Sequence, residues 1–600
     1  MRIAIAQMGS RAGELQKTVT RMLDFARQAH DRGAELVIFP MAALTGPVPA
    51  EFADQEGFLL DLSETFALLC EEAPCACIVP VVTEVDSVPA FEAVLVNDGN
   101  VTPLKATALI ERGQQDARDD QDAPAPDLPE FEVAGLRLGL AFTYEDLDDY
   151  DDFEFDVDAI VFASGYGYAV DDPSSAMGGA ITEARFRTDA ETCGAWIIGV
   201  GSVGGYGSQV FCGSSFVLAP WGELAALAPA FEEALVTCDV DASSEGPLAH
   251  PLVPEVYDRS LTLWGALSAG LSDFVAESGA TGASLVIDGS LNSALLATLA
   301  SDALGPTNVH ALLAPPTRDT MPACADLARS LRIDATQLDR TTLDAHDAAF
   351  ARDLVEARLA ALARSTSSVA LSSADKTALA LEDLTHAVRA ATLAPLGDVY
   401  RSDVIELARL RNTISPVIPA SMRDAFDVCA IEGVGEVSTS RVQQVEFIDY
   451  VLASHIEWQR CLSDVVESQG HGEVSLGVFE RYESNELSRR LAPPSLLVSS
   501  RSLADAAKPL GFAWRDKRRE KGERVDEKAL GELADAIGEA VKDSEDVSLP
   551  TSDDMRRTLE FLRDFAQGGG LSPQGFGNQR MPDDQGKPSD GLWANPFSEN

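Results

Sequence analysis

The residues best placed to do chemistry lie in the stretch Ser284–Leu296 (SLVIDGSLNSALL). Leu285, Val286 and Ile287 form an apolar run that predicts a buried strand. Asp288, Gly289 and Ser290 predict a tight turn, and residues 291–304 suit a helix. A strand, a small-residue turn and a helix build a phosphate-binding loop, because the open N–H groups of a helix start attract anions. The same pattern also describes an ordinary strand–helix turn with Asp288 as N-cap. A second candidate region is Val369–Ala378 (VALSSADKTA), which carries hydroxyls at Ser372 and Ser373 beside Lys376. Before residue 500 the only lysines are Lys17, Lys105 and Lys376, so a catalytic lysine in the main body has few candidates.

The elements that must position these residues read as alternating strands and helices. Residues 1–8 alternate like a strand, residues 18–31 form an amphipathic helix, and Leu36–Pro40 is a second buried strand. Val309–Pro315 and Ile333–Leu338 continue the pattern after residue 284, which predicts a parallel, doubly wound sheet. A length of 600 residues implies more than one domain. Net charge of −50 excludes nucleic acid as a partner, since phosphate binding needs a basic surface. Nine scattered cysteines and no leader pattern read as reduced thiols in a cytoplasm. Cys75 and Cys77 read as small core residues. No apolar run is long enough to span a membrane. No metal site is expected: the acidic runs at 113–130 and 145–158 lack a Gly-punctuated ligand pattern and read as solvated loops.

Several segments of the first 258 residues occur in an order that resembles the nitrilase-like glutaminase domain of glutamine-dependent NAD synthetases. They are Ile3–Gln7 (IAIAQ), Gly33–Pro40 (GAELVIFP), Leu44–Gly46, Gly135–Gly139 (GLRLG) and Phe211–Ser215 (FCGSS). The resemblance implies an αββα layered domain using a Glu base, a Lys for the oxyanion and a Cys nucleophile. The Glu position, after Phe39-Pro40, is Met41, which cannot take a proton. The Cys position falls on Thr143 or Tyr144, depending on a one-residue register choice before Glu145-Asp146. The Lys position is Lys105 or, one residue on, Ala106. Cys193 precedes a strand and Cys212 lies in a different loop, so neither replaces the lost thiol. No glutaminase activity is expected.

The resemblance extends through a Pro-containing linker (240–262) into a synthetase domain, residues 259–515. Asp288 to Ser293 stand where that family writes Ser-Gly-Gly-Ile/Val-Asp-Ser, the loop that holds the pyrophosphate of ATP while deamido-NAD is adenylylated. Asp288 puts a carboxylate where phosphates would lie. Two unit charges ~4 Å apart repel by roughly 1 kcal/mol in water and by about 4 kcal/mol at an effective dielectric of about 20. Ser290 adds a side chain where backbone must approach phosphate, and Asn292 removes the family's acid. Further positions of ATP and deamido-NAD contact correspond to Gly289, Ser293, Ser372, Ser373 and Lys376. The family's Asn is Asp375, its Lys is Arg401 in Ala394–Asp403 (APLGDVYRSD), and a further Lys is Ser488 in Glu486–Pro494. Arg489 and Arg490 read as scaffold. Residues 516–600 predict helices at 525–543 and 554–567, then a polar end with Trp593 and Phe597 that is either an incidental terminus or a docking peptide.

Three functions stay open. The first is a catalytically impaired relative that regulates or scaffolds an authentic NAD synthetase, as a homo-oligomer or mixed oligomer. The second is ATP- and Mg²⁺-dependent amidation of deamido-NAD with outside ammonia. The third is a rebuilt site for other chemistry or for sensing a small nucleotide, lined by Asp288, Asn292, Asp375 and Lys376. If the family activity is lost, no cofactor is required.

Overall fold

Strands buried on both faces organise the first 240 residues. In the computed structural model, the described residues are 1–46, 55–85, 88–108, 128–152, 155–172, 175, 181, 185–253, 257–339, 341, 347–429 and 437–518. The strands are β1 (Arg2–Gln7), β2 (Leu36–Ile38), β3 (Ala76–Val85), β4 (Val88–Asn97), β5 (Asn100–Ala108), β6 (Glu130–Val133) and β7 (Leu136–Ala141). They continue with β8 (Ala159–Ser164), β9 (Trp196–Gly201), β10 (Val203–Tyr206), β11 (Gln209–Cys212), β12 (Phe216–Leu218), β13 (Leu224–Leu227) and β14 (Ala234–Asp239). One six-stranded sheet has the order β14-β1-β2-β3-β4-β5 and the other β13-β12-β9-β8-β7-β6, with β10 and β11 as a separate hairpin.

Side chains on β7, β8 and β9 alternate between two cores. Leu138, Leu140, Val161, Ile198 and Val200 pack in one core with Ile3, Ile5, Val37 and Ile38 of the other sheet. Ile160, Phe162 and Ile197 face the opposite way, into a second core with Tyr150 and Phe186. Two sheets thus share one interior and carry helices outside, the αββα layering expected. The helix Leu15–Asp31 buries Leu15, Val19, Met22, Leu23 and Ala26 at helical spacing. The run 145–158 departs from its expectation as a solvated loop. Its first part is the helix Tyr144–Asp152, started by the Asp146 carboxylate, which accepts from Phe142 N (2.8 Å) and Thr143 N (3.2 Å). The other acidic run lies, for residues 113–127, outside the described residues, as do residues 519–600 with the helices and aromatic end expected there.

The later sheet joins β15 (Ala283–Ile287), β16 (Val309–Leu313), β17 (Asp334–Gln337) and β18 (Val369–Ala370) in the order β17-β16-β15-β18. Every pairing is parallel. The chain steps outward from β15 to β17 and then returns to the far side of β15 as β18. The topological switch point therefore lies between β15 and β18, where doubly wound sheets place ligands beyond the strand ends. The helix Leu291–Leu304 behind β15 is buried nearly all round. By contacts, one compact unit holds residues 1–429 and 485–508, and another holds 437–484 and 509–518 among the described residues. In the latter, His455 packs against Phe479 at 4.3 Å and meets Glu483 at 3.2 Å. No helix of the described residues is long and apolar enough to cross a membrane.

Tyr150 fastens the outer helix layer to β7. Its hydroxyl accepts from Leu140 N (2.8 Å) and donates to Pro129 O (2.7 Å). Gly139 is required beneath it, because a Cβ there would stand 2.7 Å from the Tyr150 ring. Tyr150→Phe leaves a buried N–H without a partner, and chemical denaturation should show a loss of about 1–3 kcal/mol.

Candidate functional site

The two candidate centres sit at the ends of β7 and β15. At the first, Met41 follows β2, is 2% exposed, and its carbonyl accepts from Ser202 Oγ at 3.0 Å. Tyr144 opens the helix after β7, and its ring stacks on Tyr166 (5.5 Å) amid Phe162 and Phe186. Arg185 covers it at 4.8 Å. Burial pushes the Tyr144 phenol well above its ordinary value, so it stays protonated and acts as packing. Thr143 Oγ1 accepts from Asp146 N at 3.1 Å, a turn-forming role. Lys105 Nζ meets Asp146 Oδ1 at 2.8 Å, and the pair is mostly buried. The lysine that could have faced an oxyanion is held by a carboxylate. Ala106 lies in β5, but its side chain is outside the described ones.

Cys212 ends β11 and so lies in a strand, where the sequence reading had placed it in a loop. With Ser164, Tyr166, Ser202 and others it lines a cavity of about 10 Å³, room for one water. Burial pushes its thiol up to about 11, and that of Cys193 up to about 12. Neither is activated as a nucleophile.

At the second centre, the Asp288–Ser290 turn forms as expected, with one shift. The N-cap of the helix is Ser290, whose Oγ accepts from Ser293 N (3.2 Å), and not Asp288. Gly289 has φ +95°, which turns Asp288 back over the helix start. Asp288 Oδ1 accepts from Ser290 N (2.9 Å) and Ser290 Oγ (2.6 Å). Across the switch point, Asn292 Nδ2 donates to Ser373 O (3.1 Å) and Asp375 Oδ2 (2.8 Å). Asp375, fully buried, caps the helix Lys376–Leu381 and receives Arg401 through Nε (2.8 Å) and Nη2 (3.0 Å). Arg401 also donates to Cys429 Sγ at 2.7 Å. Burial opposes the Arg401 charge, and the Asp375 carboxylate more than offsets this, raising its pKa. Ser372 Oγ accepts from Ala374 N at 3.2 Å, a local turn.

Lys376 does not join this group. It is 0% exposed and meets Asp398 Oδ1 (2.9 Å), Ser499 Oγ (2.7 Å) and Arg501 O (2.8 Å). A site lined jointly by Asp288, Asn292, Asp375 and Lys376 is therefore not what the fold assembles; Asn292 and Asp375 meet, and Lys376 serves elsewhere. Arg489 pairs with Glu486 at 2.8 Å and Arg490 does the same, in keeping with scaffold roles. Asp398 and Ser499 were missed. Asp398 had a signal, as one of two acids in the segment 394–403 that resembles the family; Ser499 had none, because its partner is 123 residues away. Glu382, Asp427 and Cys429 place ligand atoms within 4.8 Å of one another, but the Arg401 guanidinium bonded to Cys429 occupies that ground.

Residues 2–145 match the family Carbon-nitrogen hydrolase, and residues 263–492 match the family NAD synthase. The chain is thus of the class that joins a nitrilase-like hydrolase domain to an NAD synthase domain. It is a divergent homologue of the glutamine-dependent NAD(+) synthetases. The one from Synechocystis sp. is 25% identical over 552 residues, 86% of this chain and 97% of its own. That from Rhodobacter capsulatus is 27% identical over 560 residues, 86% of this chain and 99% of its own. Two solved structures share the fold. The glutamine-dependent NAD+ synthetase of Acinetobacter baumannii, in complex with ADP, aligns with TM-score 0.60 at 22% identity, covering 86% of this chain and 99% of that one. The Cytophaga hutchinsonii synthetase aligns with TM-score 0.65 at 13% identity, covering 84% and 96%.

Two measurements check these roles. Lys376→Met strands a buried carboxylate and should cost about 3–5 kcal/mol in thermal or urea unfolding, with the K376M/D398L pair losing less than the sum of its singles. Alkylation of native Cys212 by iodoacetamide at pH 8 should run roughly 100-fold slower than that of an exposed cysteine, because its thiolate fraction is that much smaller. The rate should climb with pH toward about 11.

Proposed function

We propose that this chain is a catalytically silent NAD synthetase-like protein, serving as a regulatory or structural partner of an active NAD synthetase. The Asp288 carboxylate seated on Ser290 carries the reading. ATP with Mg²⁺ does not fit the residues present. The loop that would take pyrophosphate already holds a negative charge of its own, and Asn292 offers the metal an amide in place of an acid. Its amide is moreover committed to Asp375. The hydrolase centre supports the same reading: Met41 supplies no base, and the position before Glu145-Asp146 supplies no thiol. Loss of one member of a catalytic set costs orders of magnitude, and here both centres have lost more than one.

The proposed partner is either a second copy or an authentic NAD synthetase of the same cell, in the cytoplasm. The competing reading is ammonia-dependent formation of NAD from deamido-NAD. It draws on the near-complete coverage of relatives that are synthetases. The deciding experiment supplies the purified full chain with deamido-NAD, ATP and Mg²⁺, once with saturating ammonium and once with glutamine. No NAD is expected in either case, together with co-elution of the chain with an authentic synthetase after co-expression. NAD formed with ammonium would overturn the silent reading.

A further inference from the structure

We propose that Cys75 and Cys77 form a peroxide-reactive dithiol, in which Cys75 takes the oxidant and Cys77 closes the disulfide. Neither residue belongs to the two candidate centres. Cys75 stands in the bend between helix Glu56–Glu72 and β3 and is half-buried, while Cys77 is the second residue of β3 and fully buried. The Cys77 backbone pairs with Val37 of β2 on one side and Val96 of β4 on the other, whereas Cys75 precedes the ladder. The Cys77 thiol turns back along the chain to donate to Cys75 O at 3.4 Å, and the two thiols are themselves in hydrogen-bond contact. A disulfide needs sulfur atoms about 2.05 Å apart. The movement that closes this gap falls on Cys75, the partner that no strand holds.

Contact and burial give the two sulfurs different tasks. The hydrogen bond from Cys77 lowers the Cys75 pKa against the opposing effect of burial; the same contact, helped by burial, raises that of Cys77 well above its ordinary value. Negative charge therefore gathers on the sulfur that solvent reaches, and the proton on the one it does not. The seven cysteines outside the pair are all raised, chiefly by burial. An accessible thiolate beside a resolving thiol is the arrangement that reacts with peroxides. A metal would ask for a third ligand. Among the described residues the group of three with ligand atoms within 4.8 Å is Glu382, Asp427 and Cys429, so the pair has none. In the reaction, the Cys75 thiolate attacks one oxygen of a hydroperoxide. The O–O bond breaks, the other oxygen leaves and takes up a proton, and Cys75 becomes a sulfenic acid. The Cys77 sulfur then gives up its proton and attacks the Cys75 sulfur. The S–S bond forms, the S–O bond breaks, and hydroxide leaves with that proton as water. Two electrons pass from the two thiols to one hydroperoxide.

Peptide mapping of the full chain after equimolar hydrogen peroxide tests this, with free thiols blocked by N-ethylmaleimide in denaturant. Cleavage after glutamate releases residues 73–84, which hold Cys75 and Cys77 and no other cysteine. The peptide should be lighter by two hydrogen atoms and carry no maleimide, and dithiothreitol should restore both thiols. Iodoacetamide at pH 7 should label native Cys75 roughly tenfold faster than Cys461, also half-buried, because its larger thiolate fraction sets the rate. Cys77→Ala should stop at the Cys75 sulfenic acid, trapped by dimedone, and Cys75→Ser should leave Cys77 reduced. Circular dichroism checks the folding of both variants, and the wild-type peptide decides alone if either fails to fold. A wild-type peptide bearing two maleimides after peroxide sinks the inference. So does a bond from either sulfur to Cys70, or a Cys75 labelled no faster than Cys461.

Discussion

The buried pair Lys376–Asp398 is the interaction on which the surrounding architecture depends. Both side chains are sealed from water, at 0% and 1% exposure. A charge in that position must be paired and hydrogen-bonded, or the group neutralises. The pair meets this by recruiting the chain at 498–501. Asp398 Oδ2 accepts from Val498 N (2.9 Å) and Ser499 N (2.8 Å), while Lys376 donates to Ser499 Oγ and Arg501 O. The same segment then reaches the hydrolase-like half: Val170 N donates to Val498 O (2.7 Å), Leu497 N to Ser208 O (2.7 Å) and Ser500 N to Asp171 Oδ1 (2.8 Å). One buried charge pair in the synthetase-like half therefore fixes the strand-like segment on which the other half is seated. Arg259, which holds Asp403 and donates to Val170 O (3.2 Å), adds a second tie of the same kind.

Much of this could be read from the sequence, and the part that could not has a common cause. Residues 1–8 and 36–40 announced themselves as strands, and 291–304 as a helix, because their periodicities are local. The Asp288–Ser290 turn was legible for the same reason. The shift of the cap from Asp288 to Ser290 was not, since it depends on Gly289 taking φ +95° and folding the carboxylate back. The acidic run 145–158 looked like a solvated loop because its charge dominates its composition. Its helical first turn comes from Asp146 capping the backbone behind it while holding Lys105, 41 residues away. Asp375 with Arg401, and Lys376 with Ser499, are likewise bonds across long stretches of chain, and no window of sequence contains both members.

The candidate centres differ from the scaffold in how their polar groups are satisfied. A working site keeps some donors and charges aimed at an empty space, at a cost in stability that the ligand later offsets. Here that space is answered from within: Lys105 by Asp146, Ser290 N by Asp288, Arg401 by Asp375 and Cys429. At the hydrolase centre the Tyr144 ring stacks on Tyr166, and the neighbouring Thr143 hydroxyl accepts from Asp146 N. Each of these contacts contributes to the fold.

The sheet and the helix behind it do not depend on what occupies the turn ends. Helix Leu291–Leu304, β15 and β18 are held by apolar burial and parallel ladders that no ligand supplies. Substitutions at the turn ends leave those terms untouched, so the loop can change its charge while the sheet keeps its order.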